Sequence, residues 1–296
     1  MLRNYLIITF RNLWRQRLYT FINILGLSIG ICCFSLILLY VQDELKYDQF
    51  HKNADQVYRL DFYGIINDAE FNTALMSAPA AEVLKSDFPS EINESFRFRA
   101  TGNWFIKKEN SEKVFKEDNI IYADSNVFEF WGLPLKYGNS NEALNEPKTM
   151  AISESFSDKV FGADVNPVGQ TLLMDRNTPW KVGAVYYDIP ENSHFQPDIL
   201  LTLLSRSDAH SNFWMSFNFH TYLRLSENVD TKLFEQKLDD HIKEKYLNAE
   251  IKKFMNMDAE DFNNAGNIAS FTLFPLTDIH LYSNKLGDIM ANSDIK

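Results

Sequence analysis

The sequence predicts an α+β domain placed behind one N-terminal membrane-spanning helix, and three observations predict it. Residues 18–41 run for 24 positions without a charge. Beyond them, segments that alternate apolar and polar residues at period two intermix with segments at period 3.6. The composition, 45% hydrophobic and 14% aromatic, suits a packed core and not a disordered chain.

The uncharged run comes first. As a helix it is roughly 36 Å long, against a hydrocarbon core of about 30 Å. Fourteen of its residues are Leu, Ile, Phe or Val. On the insertion scale these sum to roughly −4 to −8 kcal/mol, and Asn23 and the glycines subtract too little to reverse the sign. A cleaved signal peptide is the competing reading. It calls for a shorter apolar region, about 7–15 residues, ending in small residues. Here the run leaves through Tyr40-Val41-Gln42-Asp43-Glu44, so an uncleaved anchor is expected. Cys32 and Cys33 lie inside it and read as small apolar side chains, with palmitoylation the alternative.

Charge sets the expected orientation. Residues 1–17 carry Arg3, Arg11, Arg15 and Arg17 and no acid. Removing those four from 29 basic residues leaves 25 against 40 acids, so the rest of the chain carries about −15. The basic flank keeps the N-terminus cytoplasmic and puts the large domain outside. A domain that acidic repels a phosphate backbone, which argues against nucleic acid as a partner.

Residues 2–16 read as a helix lying on the membrane surface, with Leu2, Leu6, Ile7, Phe10, Leu13 and Trp14 on one face. Such a segment either couples to a cytoplasmic partner or only fixes topology. Within the span, Gly26, Ser28 and Gly30 form a small-residue element that allows a second helix to approach closely.

In the large domain, Val57–Tyr63, Phe96–Thr101, Trp180–Ile189, Thr221–Leu225 and Ser270–Leu276 read as strands. Pro79 opens a short helix that Phe88-Pro89 ends. The clearest amphipathic helix covers 231–246, with Phe234, Leu238, Ile242 and Tyr246 four residues apart and Asp230 as N-cap. Largely antiparallel pairing is expected. Segments 138–147 and 175–179, and the acidic group Asp258, Glu260 and Asp261, read as loops.

Chemical signatures do not accumulate. The histidines at 51, 194, 210, 220, 241 and 280 lack zinc-protease spacing, and no serine sits in a nucleophile elbow. Between Gly162 and Gly169 the spacing is wrong for a phosphate loop, and Gln170 stands where a lysine is required. No catalytic residue, cofactor or metal site is therefore expected. His210 and His220 approaching each other is the weak exception. Gly162, Pro167, Gly169 and Pro190 are expected to shape turns. Phe195, Trp214, Phe217 and Phe219 are expected in the core or at a lobe interface.

An ordered set of segments carries a family resemblance. Phe21-Ile-Asn-Ile-Leu-Gly-Leu-Ser-Ile-Gly30 is followed by Tyr47-Asp-Gln-Phe-His51, Val57-Tyr-Arg59, Ala78-Pro79-Ala80, Tyr122-Ala-Asp124 with Phe128, and Ser153-Glu-Ser155. Then come Phe161-Gly162, Pro167-Val-Gly169, Asp188-Ile-Pro-Glu-Asn-Ser-His-Phe195 and Leu276-Thr-Asp-Ile-His-Leu281. Together they resemble the MacB-like, FtsX-type permeases of bacterial ABC transporters, from the first membrane helix through the periplasmic core domain.

The resemblance implies a two-lobed MacB-like periplasmic core domain at the inner membrane, spanning residues 48–284. One porter-like lobe takes in 48–122 and 215–284, and a β-rich inserted lobe takes in 123–214. It also implies a separate cytoplasmic ABC ATPase subunit as partner, a dimer of permease subunits, and mechanotransmission, in which ATP-driven movement of membrane helices rearranges the periplasmic domain. Such permeases carry further membrane helices. The segment 285–296 stands where a second one would be approached, so the chain reads as a piece of a longer permease. A membrane-tethered sensor or binding module is the alternative; a tethered hydrolase finds no nucleophile–base pair to support it.

Overall fold

The computed structural model of the chain describes residues 2–51, 53–175 and 177–289, without the side chains of Leu2, Arg3, Leu6 and Phe10. The chain divides into two compact units, Met1–Tyr47 and Asp48–Lys296.

In the first unit, α1 (Leu2–Arg15) and α2 (Arg17–Leu45) are separated only at Gln16, whose backbone leaves helical values at φ −112° and ψ 49°. Backbone bonds cross the bend, Gln16 N donating to Asn12 O at 3.1 Å and Thr20 N to Gln16 O at 3.0 Å. Thr20 Oγ1 donates to Leu13 O at 3.0 Å and Arg17 Nε to Trp14 O at 3.1 Å. These side chains satisfy carbonyls that the end of α1 would otherwise leave bare. No residue of α2 is buried, although its side chains are overwhelmingly apolar. Within one bilayer thickness, a fully helical backbone with that surface is the arrangement that leaves no polar group unpaired in lipid.

The second unit is built on β1 (Val57–Ile66), β2 (Ala69–Thr73), α3 (Ala80–Asp87), β3 (Ile92–Ala100), β4 (Trp104–Lys108), β5 (Val114–Glu117), β6 (Ile120–Ala123) and α4 (Val127–Trp131). It continues with β7 (Leu135–Gly138), β8 (Thr149–Ser153), α5 (Glu154–Phe161), β9 (Thr171–Met174), β10 (Thr178–Tyr186), β11 (Ile199–Thr202) and β12 (His220–Leu225). It closes with α6 (Thr231–Ile242), α7 (Asn248–Met255), α8 (Ala259–Asn264), β13 (Ile268–Pro275) and α9 (Ile279–Tyr282). Among the described residues the strands form one 13-stranded sheet, ordered β13-β1-β12-β3-β6-β11-β8-β10-β9-β4-β5, with β2 on β1 and β7 on β10. Pairing is antiparallel except for β11 with β6 and β10 with β8.

Period-two alternation assigns the faces of β1. Leu60 and Phe62 pack with Leu223, Phe271 and the helical residues Leu84, Phe234, Leu238 and Phe262. Arg59 and Asp61 point the other way, towards the face on which Tyr222, Phe96 and Phe98 join Trp131 and Phe195. The free edge of β13 is closed by α6: Asp239 Oδ1 accepts from Phe271 N at 2.8 Å and Glu235 Oε2 from Leu273 N at 2.6 Å. Those carboxylates satisfy amides that an uncovered edge would leave open to pairing.

Several expectations are corrected here. The helix predicted over 231–246 ends at Ile242, and a π-helical turn over Lys243–Leu247 follows. Buried positions run Phe234, Leu238, Ile242, then Leu247 and Ile251. The step of five after Ile242 requires one extra residue in the turn, and Tyr246 is left half-buried, stacked on Trp214 at 4.4 Å. Of the acidic group read as a loop, Glu260 and Asp261 lie in the first turn of α8, and Asp258 caps it, accepting from Asp261 N at 2.9 Å. The strand expected to run to Ile189 stops at Tyr186, and β10 begins inside the predicted loop 175–179. Asp230 does cap α6, accepting from Lys232 N and Leu233 N. Residues 290–296 of the expected approach to a second helix lie outside the described residues.

Candidate functional site

Three residues after α2, the chain enters a buried polar node. Asp48 is fully buried and has a left-handed backbone, φ 59°, a conformation that costs a non-glycine residue about 1 kcal/mol or more and persists only where neighbours enforce it. The neighbours belong to the segment 188–195. Asp48 N donates to Asn192 O at 2.9 Å. The Asp48 carboxylate accepts from Ser193 Oγ at 2.9 Å and His194 N at 3.0 Å, and His194 Nδ1 lies 2.9 Å from its second oxygen. Burial would raise this carboxyl, but the His194 and Ser193 contacts outweigh burial and hold it below its usual value. His51 sits beside it, Nδ1 at 3.2 Å from Trp131 O, and burial pushes its imidazole down to about 4.

His194 Nε2 is 2.8 Å from the hydroxyl of Tyr222. Tyr222 is fully buried on β12 and stands opposite Arg59 of β1 in the strand register. Burial, together with the carboxylates of Asp48, Asp61 and Asp288, pushes the Tyr222 phenol well up, so it stays neutral. Arg59 Nε donates to Asp61 Oδ1 at 2.6 Å, Nη1 to Asp288 Oδ1 at 2.7 Å and Nη2 to Ser283 Oγ at 2.7 Å. Lys285 Nζ completes the group, 2.9 Å from Asp61 Oδ2. Burial opposes the guanidinium charge, yet Asp61 and Asp288 hold it firmly ionised.

The trailing segment is bound through its backbone as well. Leu286 N donates to Asn72 O at 2.8 Å, and Ala74 N donates to Leu286 O at 3.0 Å. Gly287 follows with φ +87°, and a Cβ there would stand 2.8 Å from the Leu75 side chain. One β1–β12 rung, Arg59 with Tyr222, therefore holds both the segment that follows α2 and the segment that precedes residue 290. The groups of the node are buried and contact chiefly one another.

The residues that carried the resemblance fall into place around it. Asp188 accepts from Ser155 N at 3.0 Å and from Ser155 Oγ, and Ser153 caps α5. The 188–195 segment is thus tied to α5 at one end and to Asp48 at the other. Asp124 receives Arg97 Nε at 3.2 Å, while Arg97 Nη1 donates to Ala209 O at 2.9 Å and to Ala78 O.

The family model described as the MacB-like periplasmic core domain matches residues 20–241. The chain belongs to the MacB-like periplasmic core domain family. It is homologous to the periplasmic domains of MacB-type ABC transporter permeases. Among solved structures it resembles a domain of a protein described as a permease from Porphyromonas gingivalis, with 22% identity, 76% of this chain and 91% of that one covered, and a TM-score of 0.61. At that identity the likeness is one of fold. Weaker likenesses are to the periplasmic region of MacB from Actinobacillus actinomycetemcomitans, at 14% identity, 76% and 91% coverage and TM-score 0.47, and to the extracellular domain of the noncanonic ABC-type transporter YknZ from Gram-positive bacteria, at 14%, 74% and 99%, and 0.43. No curated protein matches the chain.

The residues singled out in the sequence are distributed as follows. Gly26, Ser28 and Gly30 lie on α2, exposed, and a Cβ at either glycine would meet nothing within 4 Å. The two glycines, four apart, share a face; Ser28, about 200° around the helix from each, does not share it. Arg11 and Arg15 are exposed on α1, and Arg17 lies 4.9 Å over the Trp14 ring. The Arg3 side chain, with those of Leu2, Leu6 and Phe10, is outside the description. His220 is buried and stacked on Phe98 at 4.6 Å, while His210 is exposed at the end of a 3-10 turn. Among the described residues no group of three His, Cys, Asp or Glu is placed to hold a metal ion. Phe195, Trp214 and Phe219 are buried, and Phe217 stacks on Phe62 at 4.3 Å.

That Asp61, Tyr222 and Asp288 join the node was not legible from the sequence. One signal was available: Arg59 and Asp61 place opposite charges two apart, on one face of an otherwise apolar strand, a pattern that demands a buried pair.

Proposed function

We propose that the chain is the anchor helix and extracytoplasmic domain of a permease subunit in a bacterial ABC-type exporter or mechanotransmission complex. The observation that carries this reading is the node: both flanks of a MacB-like domain are tied to one buried rung. ATP hydrolysis by a separate cytoplasmic ATPase subunit displaces α2, and the displacement enters the domain at Asp48, three residues after Leu45. The domain itself performs no chemistry.

The same proposal includes a cytoplasmic N-terminus set by Arg3, Arg11, Arg15 and Arg17, a periplasmic domain, and a dimer of subunits. It includes helix packing through the Gly26–Gly30 face and the two-lobe division at 48–122, 123–214 and 215–284. The sheet gives one reason to look for the division. Strands β1, β3, β12 and β13 lie together at one end and β8 to β10 towards the other, although β4 and β5 of the 48–122 segment join β9 beyond them.

The test is to purify the chain with an ABC ATPase subunit in detergent and follow amide hydrogen exchange with and without ATP. Exchange at residues 48–51 and 188–195 is expected to change when ATP is added. A stable complex in which ATP leaves both segments unchanged would rule out the node as the transmission point.

A further inference from the structure

The path of the sheet ends at β5, and the last strands before that end present one buried and one open face. Ile106, Phe115, Leu172, Met174 and Trp180 are buried on the inner side of β4, β5, β9 and β10. Their chain neighbours alternate to the outer side. There Phe105 lies opposite Lys116, and Lys107 lies between Val114 of β5 and Leu173 of β9. Lys181 of β10 alternates with the buried Trp180 and Val182. Phe105 is 60% exposed and Val114 53%. No outward position of β4, β5, β9 or of β10 as far as Lys181 is acidic. Lys116 does reach the exposed Asp118 at 3.1 Å, but a surface pair of that kind is worth little.

Hydrogen-bond parity shows that the edge is open as well. Asp175 N donates to Phe105 O at 3.1 Å, so the Phe105 backbone faces β9. In antiparallel pairing, a residue that bonds to one neighbouring strand stands in a non-bonded pair with the other. Lys116, the register partner of Phe105, therefore turns its N–H and C=O away from β4, and so does Val114, two residues before it. Among the described residues no strand and no backbone group receives them. An edge in that state is a template for one more strand.

Charge restricts which strand can come. Lysines on an edge deter an equally basic strand, whereas opposite charges across a strand pair attract. The chain as a whole is acidic, so this cationic face stands out as the place where an acidic segment is not repelled. We propose that β5 docks an extended acidic segment of a partner protein as an added strand, with a carboxylate beside Lys116 and an apolar side chain, two positions along, beside Val114. The inference does not rest on the permease reading, since it needs neither the ATPase nor α2 to move.

The experiment follows fluorescence anisotropy of a labelled peptide, acetyl-Thr-Glu-Thr-Val-Thr-Glu-Thr-amide, titrated with the detergent-purified full chain. Saturable binding is expected. Replacing both glutamates by lysine, or N-methylating alternate backbone amides on the bonding edge, is expected to weaken it about 10-fold or more. Val114→Pro removes an N–H that points to solvent, a position where an edge strand accepts proline. It should leave the melting temperature unchanged and weaken peptide binding about as much as Lys116→Glu does. Absence of binding, equal binding of the lysine or N-methylated peptides, or binding untouched by both substitutions would each overturn the assignment. So would two rival occupants. A fall in particle mass by light scattering on Val114→Pro would give the edge to a second copy of the chain, and displacement of the peptide by phosphatidylglycerol in mixed micelles would give the face to a lipid headgroup.

Discussion

Removing the Asp48 carboxylate strands two buried donors at once, His194 N and His194 Nδ1, while Ser193 Oγ can still donate to Phe195 O at 3.3 Å. Unsatisfied buried donors cost about 1–3 kcal/mol each, with partial relief as neighbours relax, so Asp48→Ala is expected to lose about 3 kcal/mol in urea unfolding. His51 gives the node a pH signature of definite sign. Its folded value of about 4 lies below the usual 6.5, so below pH 6.5 the unfolded chain binds the extra proton. Stability should fall between pH 6.5 and 4, by on the order of 3 kcal/mol across that window. Asp48, held below its usual value, adds a loss of the same sign only as pH drops through the carboxylate range. Urea midpoints at pH 7 and pH 4.5 check this, and His51→Gln should flatten the upper part of the slope. At this scale the sequence supplied the participants but not their partners. The segments 47–51 and 188–195 stood out as strings of residues, but nothing local says that they meet, because some 140 residues separate Asp48 from Ser193.

Helices with a start signal were legible, Pro79 before α3 and the Asp230 cap of α6, and so was a strand with alternation, β1, where Arg59 and Asp61 interleave with Leu60 and Phe62. The strands β8 and β11 were missed for a physical reason. Both are buried at every position, each pairs in parallel on one side, and short apolar runs of that kind show no period to read. The π-helical turn was missed because Tyr246 completes a four-residue pattern that the fold declines in favour of Leu247. The cover over β13 is another element invisible to periodicity, since Glu235 and Asp239 lie on α6 like ordinary solvated acids. Asp239→Ala should leave the Phe271 amide without its acceptor, lower stability by about 1–3 kcal/mol, and accelerate hydrogen exchange in β13 before that in β12.

The membrane helix was the most legible feature of the whole molecule: charge-free length alone set it apart, and α2 covers the predicted run and extends to Leu45. The order of the sheet was the least legible. The hairpin of β4 and β5 pairs with β9, so Ile106 meets Met174, and such long-range choices depend on packing that no local window contains. What the fold achieves overall is to tie the residues after α2 and the residues before 290 to the same rung. Hydrogen exchange with mass spectrometry on the intact chain measures that directly. Segments 48–51 and 283–288 should open only with β1 and β12, and Arg59→Met should release 283–288 selectively. Exchange of either segment as a free loop in the unaltered protein, while β1 and β12 stay protected, would contradict the account.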